Sequence, residues 1–230
     1  MAATFSMFGN LQITPKWSDG TVTDGSTISQ DLRISNGTGA GQANAYWQKT
    51  LSVAAGASED IDLRALAVSV FGVTGTLALA TVKSLLLRNK SSRTALVVNG
   101  TVTDRWTALS AGALTLNAGG VFLASDEATG LATTTTSKVV KVTNNDSSSS
   151  LTANTTSGSK VVSGISSTSG LSAGMLVSGT GIASGTTVAS VTNSTSIMLD
   201  TNATATGTAV SLSFVNPPAE LEVVVIGVKA

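Results

Sequence analysis

Short runs of β-branched and aliphatic residues, broken every few positions by Gly, Asn, Asp or Ser, constrain the fold of this chain more than any other feature. Within the runs, apolar side chains alternate with others: Leu212 and Phe214 flank Ser213, and residues 96–98 and 114–116 follow the same pattern. A period of two with one apolar face is typical of a half-buried strand. Long helices are disfavoured by the frequent Gly and β-branched residues, and only residues 54–66 have room for a helical turn or two. The sequence therefore predicts an all-β protein.

Turns and strand positions can be predicted in several places. Residues 65–82 carry no charge, but they are rich in Val and interrupted by Gly and Thr, so we predict two short strands around a turn at residues 72–75 rather than a membrane-spanning helix. Residues 221–228 are apolar on both faces except for Glu222 and Gly227, which predicts a central strand. Asn and Gly accept the positive φ of tight turns, so four dipeptides predict hairpins. They are Asp19-Gly20, Asp24-Gly25, Asn36-Gly37 and Asn99-Gly100.

Two breaks in composition divide the chain. The tract at residues 144–150 (NNDSSSS) is typical of a linker, and the paired prolines Pro217 and Pro218 cannot continue a strand ladder. We predict a host β-sandwich domain at residues 1–146 and 219–230, an inserted β module at 151–215, and linkers at 147–150 and 216–218. Two domains in series are the alternative. The hydrophobic last strand argues against it, since such a chain end usually completes a sheet.

The amino-acid counts exclude several classes of function. The chain has no His and no Cys, which excludes Ser-His-Asp and Cys-His catalytic groups and makes a structural zinc site very improbable. Thirteen basic and thirteen acidic residues give a formal net charge of zero, without a basic patch. We therefore expect neither nucleic acid nor membrane as a partner. Residues 1–10 lack the basic start and apolar core of a signal peptide.

Sequence motifs that suggest catalysis or ligand binding are better explained as turns. Residues 170–174 match G-x-S-x-G, but the chain has no His to act as the base. The glycines at 179, 181 and 185 lack phosphate-loop spacing, and the Asp and Asn residues near 19, 24 and 144–146 lack calcium-loop spacing. Asp126 and Glu127 are neighbours, whereas glycosidase carboxylates face each other across a cleft. We expect no catalytic, cofactor-binding or metal-binding residues, and no enzyme. Asp60, Asp62 and Asp104 could still lie close enough in the fold for two of them to act as a carboxylate pair. A polysaccharide depolymerase is therefore a third hypothesis.

Four large aromatic residues are the candidate interface residues: Trp17, Tyr46, Trp47 and Trp106. Trp and Tyr dominate binding hot spots, and exposed indoles also stack on sugar rings. The same side chains would fill the core of a domain that is otherwise built from small residues. We expect them in the core or at a subunit interface, with Trp47 and Trp106 as the first interface candidates.

Five segments of the host domain resemble, in this order, small jelly-roll-like proteins encoded among the virion genes of tailed bacteriophages. The segments are VKSLLLRN at residues 82–89, TALVVNG at 94–100, LSAGALTLNAGGVF at 109–122, KVVKVTN at 138–144 and ELEVVVIG at 220–227. The resemblance implies a jelly-roll-like β-sandwich for the host domain.

The predicted module is similar to a short β module that recurs in phage tail, fibre and capsid-surface proteins. The similar segments are STSGLSAGMLVSGTGIASGTTVASV at residues 167–191, TSIMLD at 195–200 and GTAVSLSF at 207–214. This resemblance implies a small Ig-like β module and covers most of residues 151–215.

Together the resemblances imply a structural virion protein on the outer capsid surface. We expect a decoration, or cement, protein that binds the major capsid protein and forms a homotrimer, with residues 1–14 as an arm across capsomer boundaries. The alternative is a head- or tail-fibre protein that binds host surface glycans. That alternative predicts exposed aromatic side chains at the tip of the module.

Overall fold

Strands and turns make up the described part of this chain. The computed structural model describes the backbone of residues 6–13, 16–18, 23–25, 28–70, 73–110 and 112–230, and the side chains of 34–69, 74–110 and 112–230. Across these ranges the chain contains strands but no helix, which confirms the all-β prediction. Consequently the described residues include no apolar helix long enough to cross a membrane.

The N-terminal part is a two-stranded antiparallel ribbon. Strand β1 (Ser6–Ile13) pairs with β4 (Ile28–Asn36) over eight residues, and between them β2 (Lys16–Ser18) pairs with β3 (Thr23–Gly25). Strand β4 also pairs in parallel with β5 (Gln42–Ala43), at the point where the ribbon joins the rest of the chain.

Two of the four dipeptides predicted to form hairpin turns, Asp24-Gly25 and Asn36-Gly37, do not form them. Asp24 and Gly25 are strand residues inside β3, opposite Trp17 and Lys16. Asn36-Gly37 leads into a loop between the parallel strands β4 and β5, which a tight hairpin cannot connect. Asp19-Gly20 and the predicted arm residues 1–5 lie outside the described residues.

The remaining strands form two sandwiches and a hairpin. In chain order they are β6 (Ala45–Val53), β7 (Ser58–Asp62), β8 (Leu66–Val70), β9 (Val73–Leu77), β10 (Leu79–Asn89), β11 (Leu96–Val98), β12 (Leu114–Leu116), β13 (Val121–Ser125), β14 (Leu131–Ala132), β15 (Val139–Asn144), β16 (Ser149–Thr155), β17 (Val161–Val162), β18 (Leu176–Gly179), β19 (Val188–Asn193), β20 (Ser196–Leu199), β21 (Gly207–Val215) and β22 (Ala219–Lys229).

The host sandwich consists of two antiparallel sheets around one core. One sheet has the order β13-β10-β22-β6, with β14 also on β10, and the other has the order β12-β11-β15-β7. Alternating side chains of both sheets, such as Leu87 and Val98, meet in the core. Strand β22 lies between β10 and β6, so the predicted central strand is confirmed. The helical turns expected within residues 54–66 do not form, because β7 pairs with β15 there.

Strands β8 and β9 form the predicted strand pair, but part of the segment expected to be the turn lies within β9. Strands β8 and β9 pair antiparallel, and Gly75 lies inside β9 opposite Val68. Asn99 does adopt the positive φ expected of a turn residue, at 59°. It ends β11 and begins a long loop to β12 rather than a two-residue hairpin.

The module is a second, smaller sandwich with its own core. Its sheets have the orders β16-β21-β18 and β17-β20-β19. Its core runs from Ala153 to Phe214 in sequence and shares no residue with the host core. Strand β16 begins at Ser149, opposite Phe214, within the segment predicted as a linker at 147–150. The division into domains and the Ig-like topology of the module stay predictions.

The ribbon and the module lie at opposite ends of β22. This strand starts at Ala219, separated by three residues from the last strand of the module, and runs eleven residues to Lys229. Near its end, Ile226 packs against Ile34 and Ala43 at the base of the ribbon. Ala219 and Ile226 are seven residues apart, so at about 3.3 Å per residue the two junctions are roughly 23 Å apart.

Candidate functional site

Trp47 and Trp106 lie in the core of the host sandwich, which is one of the two locations expected for them; their burial does not fit the choice of these two as the first interface candidates. Trp106 is 0% exposed and Trp47 is 7% exposed. Each indole Nε1 donates to a backbone carbonyl, that of Ala132 at 2.8 Å from Trp106 and that of Ala67 at 2.9 Å from Trp47. A side chain that is enclosed and hydrogen-bonded within its own chain has no surface left to contact a partner.

Tyr46 is the candidate aromatic residue whose described side chain lies at the surface. It stands on β6, is 46% exposed, and its hydroxyl bonds to Oε1 of Gln48. Trp17 lies in β2, opposite Asp24, and its side chain is outside the described residues. The structure therefore does not bring the four predicted interface residues together in one described surface.

The acidic residues considered for catalysis have local structural contacts. Asp126 accepts the N–H of Thr129 at 3.0 Å, and Asp62 forms an ion pair with Lys138 at 3.0 Å. Within the described ranges, no three Asp, Glu, His or Cys side chains gather into a group that could hold a metal ion. These carboxylates fix turns and strand edges.

Hydrogen bonding displaces the pKa of Asp200. The backbone N–H and the hydroxyl of Thr187 both donate to it at 2.9 Å. These two hydrogen bonds lower the pKa of Asp200 below its ordinary value of 3.8, because they stabilise the charged form. The residue is fully exposed and caps the loop before β19, which is a structural role.

The host and the module meet at a cleft of about 330 Å³. At this cleft, Oδ2 of Asp146 accepts hydrogen bonds from Oγ1 of Thr94 at 2.8 Å and from Nδ2 of Asn216 at 3.0 Å. Arg93 donates to Oγ of Ser172 at 3.2 Å, which engages the serine of the G-x-S-x-G motif. These hydrogen bonds connect the two segments that lead into and out of the module to the host, so the residues at the cleft hold the module in place.

The second described surface is the outer face of the host sheet. Leu123, Leu86 and Val224 are cross-strand neighbours on β13, β10 and β22, and we call them the outer stripe. Leu123 is 44% exposed, and its strand neighbour Val121 on the same face is 58% exposed. Ile226 extends the same face but is covered by the base of the ribbon. The outer stripe is therefore an apolar surface beside the ribbon.

Sequence reasoning missed the outer stripe. The five residues of β13 have the sequence of an ordinary buried strand. A short apolar run of this kind does not indicate which face of the strand is exposed to solvent. One usable signal was the absence of charge between Gly120 and Asp126, whereas the edge strands β6 and β7 carry charged residues.

Comparison with known proteins does not add a family to these observations. No protein-family model matches the chain, and neither curated proteins nor solved structures give a match.

Proposed function

We propose that this chain is a structural protein of a tailed-phage virion that decorates and stabilises the outer capsid surface as a cement protein. The observation that carries this proposal is the placement of the ribbon and the module at opposite ends of β22. One end can then bind the particle while the other points away from it. The proposal assigns no catalysis to the chain.

The ribbon end suits attachment to a capsid. Strands β1 and β4 pair over eight residues, which makes the ribbon about 25 Å long, enough to cross a boundary between neighbouring subunits. The outer stripe lies on the adjoining sheet face. Burying apolar surface contributes at most about 25 cal/mol per Å², so each contact is modest. Many symmetry-related copies add avidity.

The module end suits exposure to solvent. Between residues 151 and 215 the only charged side chains are Lys160 and Asp200, and the surface is rich in Ser and Thr. A neutral, hydroxyl-covered surface has no strong electrostatic attraction to nucleic acid or to other charged surfaces. The partners that we propose are the major capsid protein and further copies of this chain. The resemblance predicts a homotrimer.

Glycan binding by a head or tail fibre remains the alternative. It predicts exposed aromatic side chains at the tip of the module. Phe214 is the module's sole aromatic residue, and it is fully buried in the module core. The described module therefore offers no aromatic platform for a sugar ring, which favours the capsid proposal.

Counting copies in intact particles tests the proposal. Particles of the source phage are purified, and this chain is quantified by mass spectrometry against the major capsid protein. We expect a ratio near one to one. A few copies to a few dozen copies per particle would move the chain to the tail or fibres. Absence from the particle would overturn the virion function altogether.

A further inference from the structure

One edge of the host sandwich lacks the features that usually keep strand edges apart. Exposed edges are blunted by charge, proline, bulges or shortness. Strand β7 carries three carboxylates, and β12 is only three residues long. Strand β6 carries the charged side chain of Lys49 on the same face as buried Trp47. The fourth edge, β13, has five residues, no charge and no proline, and it exposes Val121 and Leu123. The sequence of β13 is therefore compatible with pairing.

The hydrogen bonds around β13 show which of its backbone groups face outward. The N–H of Asn89 donates to the carbonyl of Gly120, and the N–H of Asp126 donates to that of Lys83. Bonding alternates along an antiparallel ladder, so Phe122 and Ala124 also bond to β10. The N–H and C=O of residues 121, 123 and 125 then point away from β10. These six groups have no hydrogen-bond partner among the residues that the structure describes.

The outward row has definite ends. On one side, the N–H of Gly119 donates to the carbonyl of Ser91 at 3.1 Å. On the other side, the carbonyl of Glu127 accepts from the N–H of Gly41 at 2.9 Å and from Nζ of Lys83 at 3.1 Å. Leu123 is therefore the centre of a short row of unpaired donors and acceptors.

We propose that two copies of this chain pair along β13, antiparallel, with Leu123 on the two-fold axis. In this register Leu123 faces Leu123 of the second copy, and Val121 faces Ser125. Each of these three pairs exchanges two hydrogen bonds, so six bonds satisfy the outward donors and acceptors of both strands. The two host sheets become one continuous sheet.

The side chains along the seam, which is the line where the two β13 strands meet, are also complementary. Leu123 of each copy extends the outer stripe across the axis, so the stripe continues from Val224 of one copy to Val224 of the other. Asp126, which follows β13, faces Gly120 of the second copy, so no like charges meet. The seam is short, and we expect weak pairing in solution. The inference does not depend on the virion function, and it predicts two-fold pairing where the resemblance predicts a trimer.

Disulfide trapping tests the register directly, because the chain has no cysteine of its own. Leu123→Cys places two thiols on the axis with Cα atoms about 5.5 Å apart, within the disulfide range of about 4.4–6.8 Å. Mild oxidation of the full chain should give a covalent dimer. Val121→Cys alone places its thiols about 14 Å apart and should not cross-link. The double variant Val121→Cys with Ser125→Cys should cross-link again.

Met198→Cys is the matched control, since Met198 is 40% exposed on the module, close to the 44% of Leu123. The inference is overturned if Leu123→Cys cross-links no faster than Met198→Cys, or if Val121→Cys cross-links as well as Leu123→Cys. Circular dichroism of each variant verifies that it folds.

Sedimentation of the unmodified chain gives a second measurement. We expect a monomer–dimer equilibrium, and Leu123→Lys should weaken it about tenfold or more by opposing two ammonium groups on the axis. Met198→Lys should leave it unchanged. A monomer at every concentration, or a trimer that Leu123→Lys leaves intact, would overturn β13 pairing.

Discussion

The host sandwich and the module are both β-sandwiches with a closed core, but different side chains fill the two cores. The host core contains two indoles and many leucines, whereas the module core has Phe214 as its one aromatic side chain among Leu, Ile, Val, Met and Ala. The buried polar residues differ as well. The host buries the amides of Asn89, Asn99 and Asn144 in addition to hydroxyl residues such as Thr94 and Thr133, whereas the polar side chains buried in the module are those of Thr155, Thr168 and Thr186.

This difference indicates how each region holds its loops. The amide of Asn89 donates to the carbonyls of Thr94 and Leu116 at 2.7 and 2.9 Å and accepts the N–H of Ser91. In the module, the hydroxyl of Thr168 donates to one carbonyl, that of Asn193 at 2.8 Å. An amide therefore joins several segments, and a hydroxyl joins two. We expect the host to lose more stability per substitution than the module.

Trp106→Ala should have the largest effect. The indole is fully enclosed and hydrogen-bonded, so its removal leaves a cavity and an unpaired carbonyl at Ala132. We expect a loss of about 3–5 kcal/mol in the free energy of unfolding of the host, measured by denaturant unfolding. Trp106→Phe, the control, should lose less. A loss below about 1 kcal/mol for the alanine variant would show that this site is not a packed core.

Phe214→Ala tests whether the two cores are independent. Phe214 is fully buried in the module, and we expect the module to lose about 3–4 kcal/mol. Hydrogen exchange should accelerate in β16, β18 and β21 and stay unchanged in β10 and β15. Equal acceleration in both sandwiches would mean that they unfold as one unit, contrary to the predicted division into domains.

Asn89→Ala should cost about 2–3 kcal/mol, because it leaves two buried carbonyls without their donor. Thermal and denaturant unfolding measure the change. Asn117→Ala, at an exposed position, is the control and should be nearly neutral. If Asn89→Ala leaves the free energy of unfolding unchanged, buried amides do not stabilise this chain more than buried hydroxyls do.

Thr168→Val should cost less, about 1 kcal/mol, because one hydroxyl bond is lost while the side-chain shape is kept. Ser169→Ala, on the exposed neighbour, serves as the control. If Thr168→Val destabilises the chain as much as Asn89→Ala, the module depends on its hydroxyls more strongly than we infer.

Acid should weaken the module slightly through Asp200. Its pKa is lowered in the folded state, so its contribution is present above the ordinary value of 3.8 and is lost as the pH falls through the lowered folded value. Asp200→Asn should flatten this dependence, measured as the calorimetric transition of the module at several pH values. An unchanged acid dependence in Asp200→Asn would assign it to other carboxylates.

The sequence predicted the fold class well because strand periodicity and turn residues are local signals. The central position of β22 followed from its two apolar faces. The site was harder to predict. Trp47 and Trp106 were expected in the core or at a subunit interface, because a sequence does not distinguish an indole that is enclosed from one that is exposed. The edge at β13 depends on which backbone groups lack partners, and pairing over long sequence distances decides that.

Cysteine accessibility on intact particles tests the central claim, that the ribbon end binds the capsid and the module end faces outward. Thr38 at the base of the ribbon and Ser169 on the module are both exposed in the single chain. Particles carrying Thr38→Cys or Ser169→Cys are treated with a maleimide, and labelling is compared with that of the free protein. We predict that Ser169→Cys reacts equally fast in both, whereas Thr38→Cys is protected on the particle. Protection of Ser169→Cys with free reaction of Thr38→Cys would contradict the account.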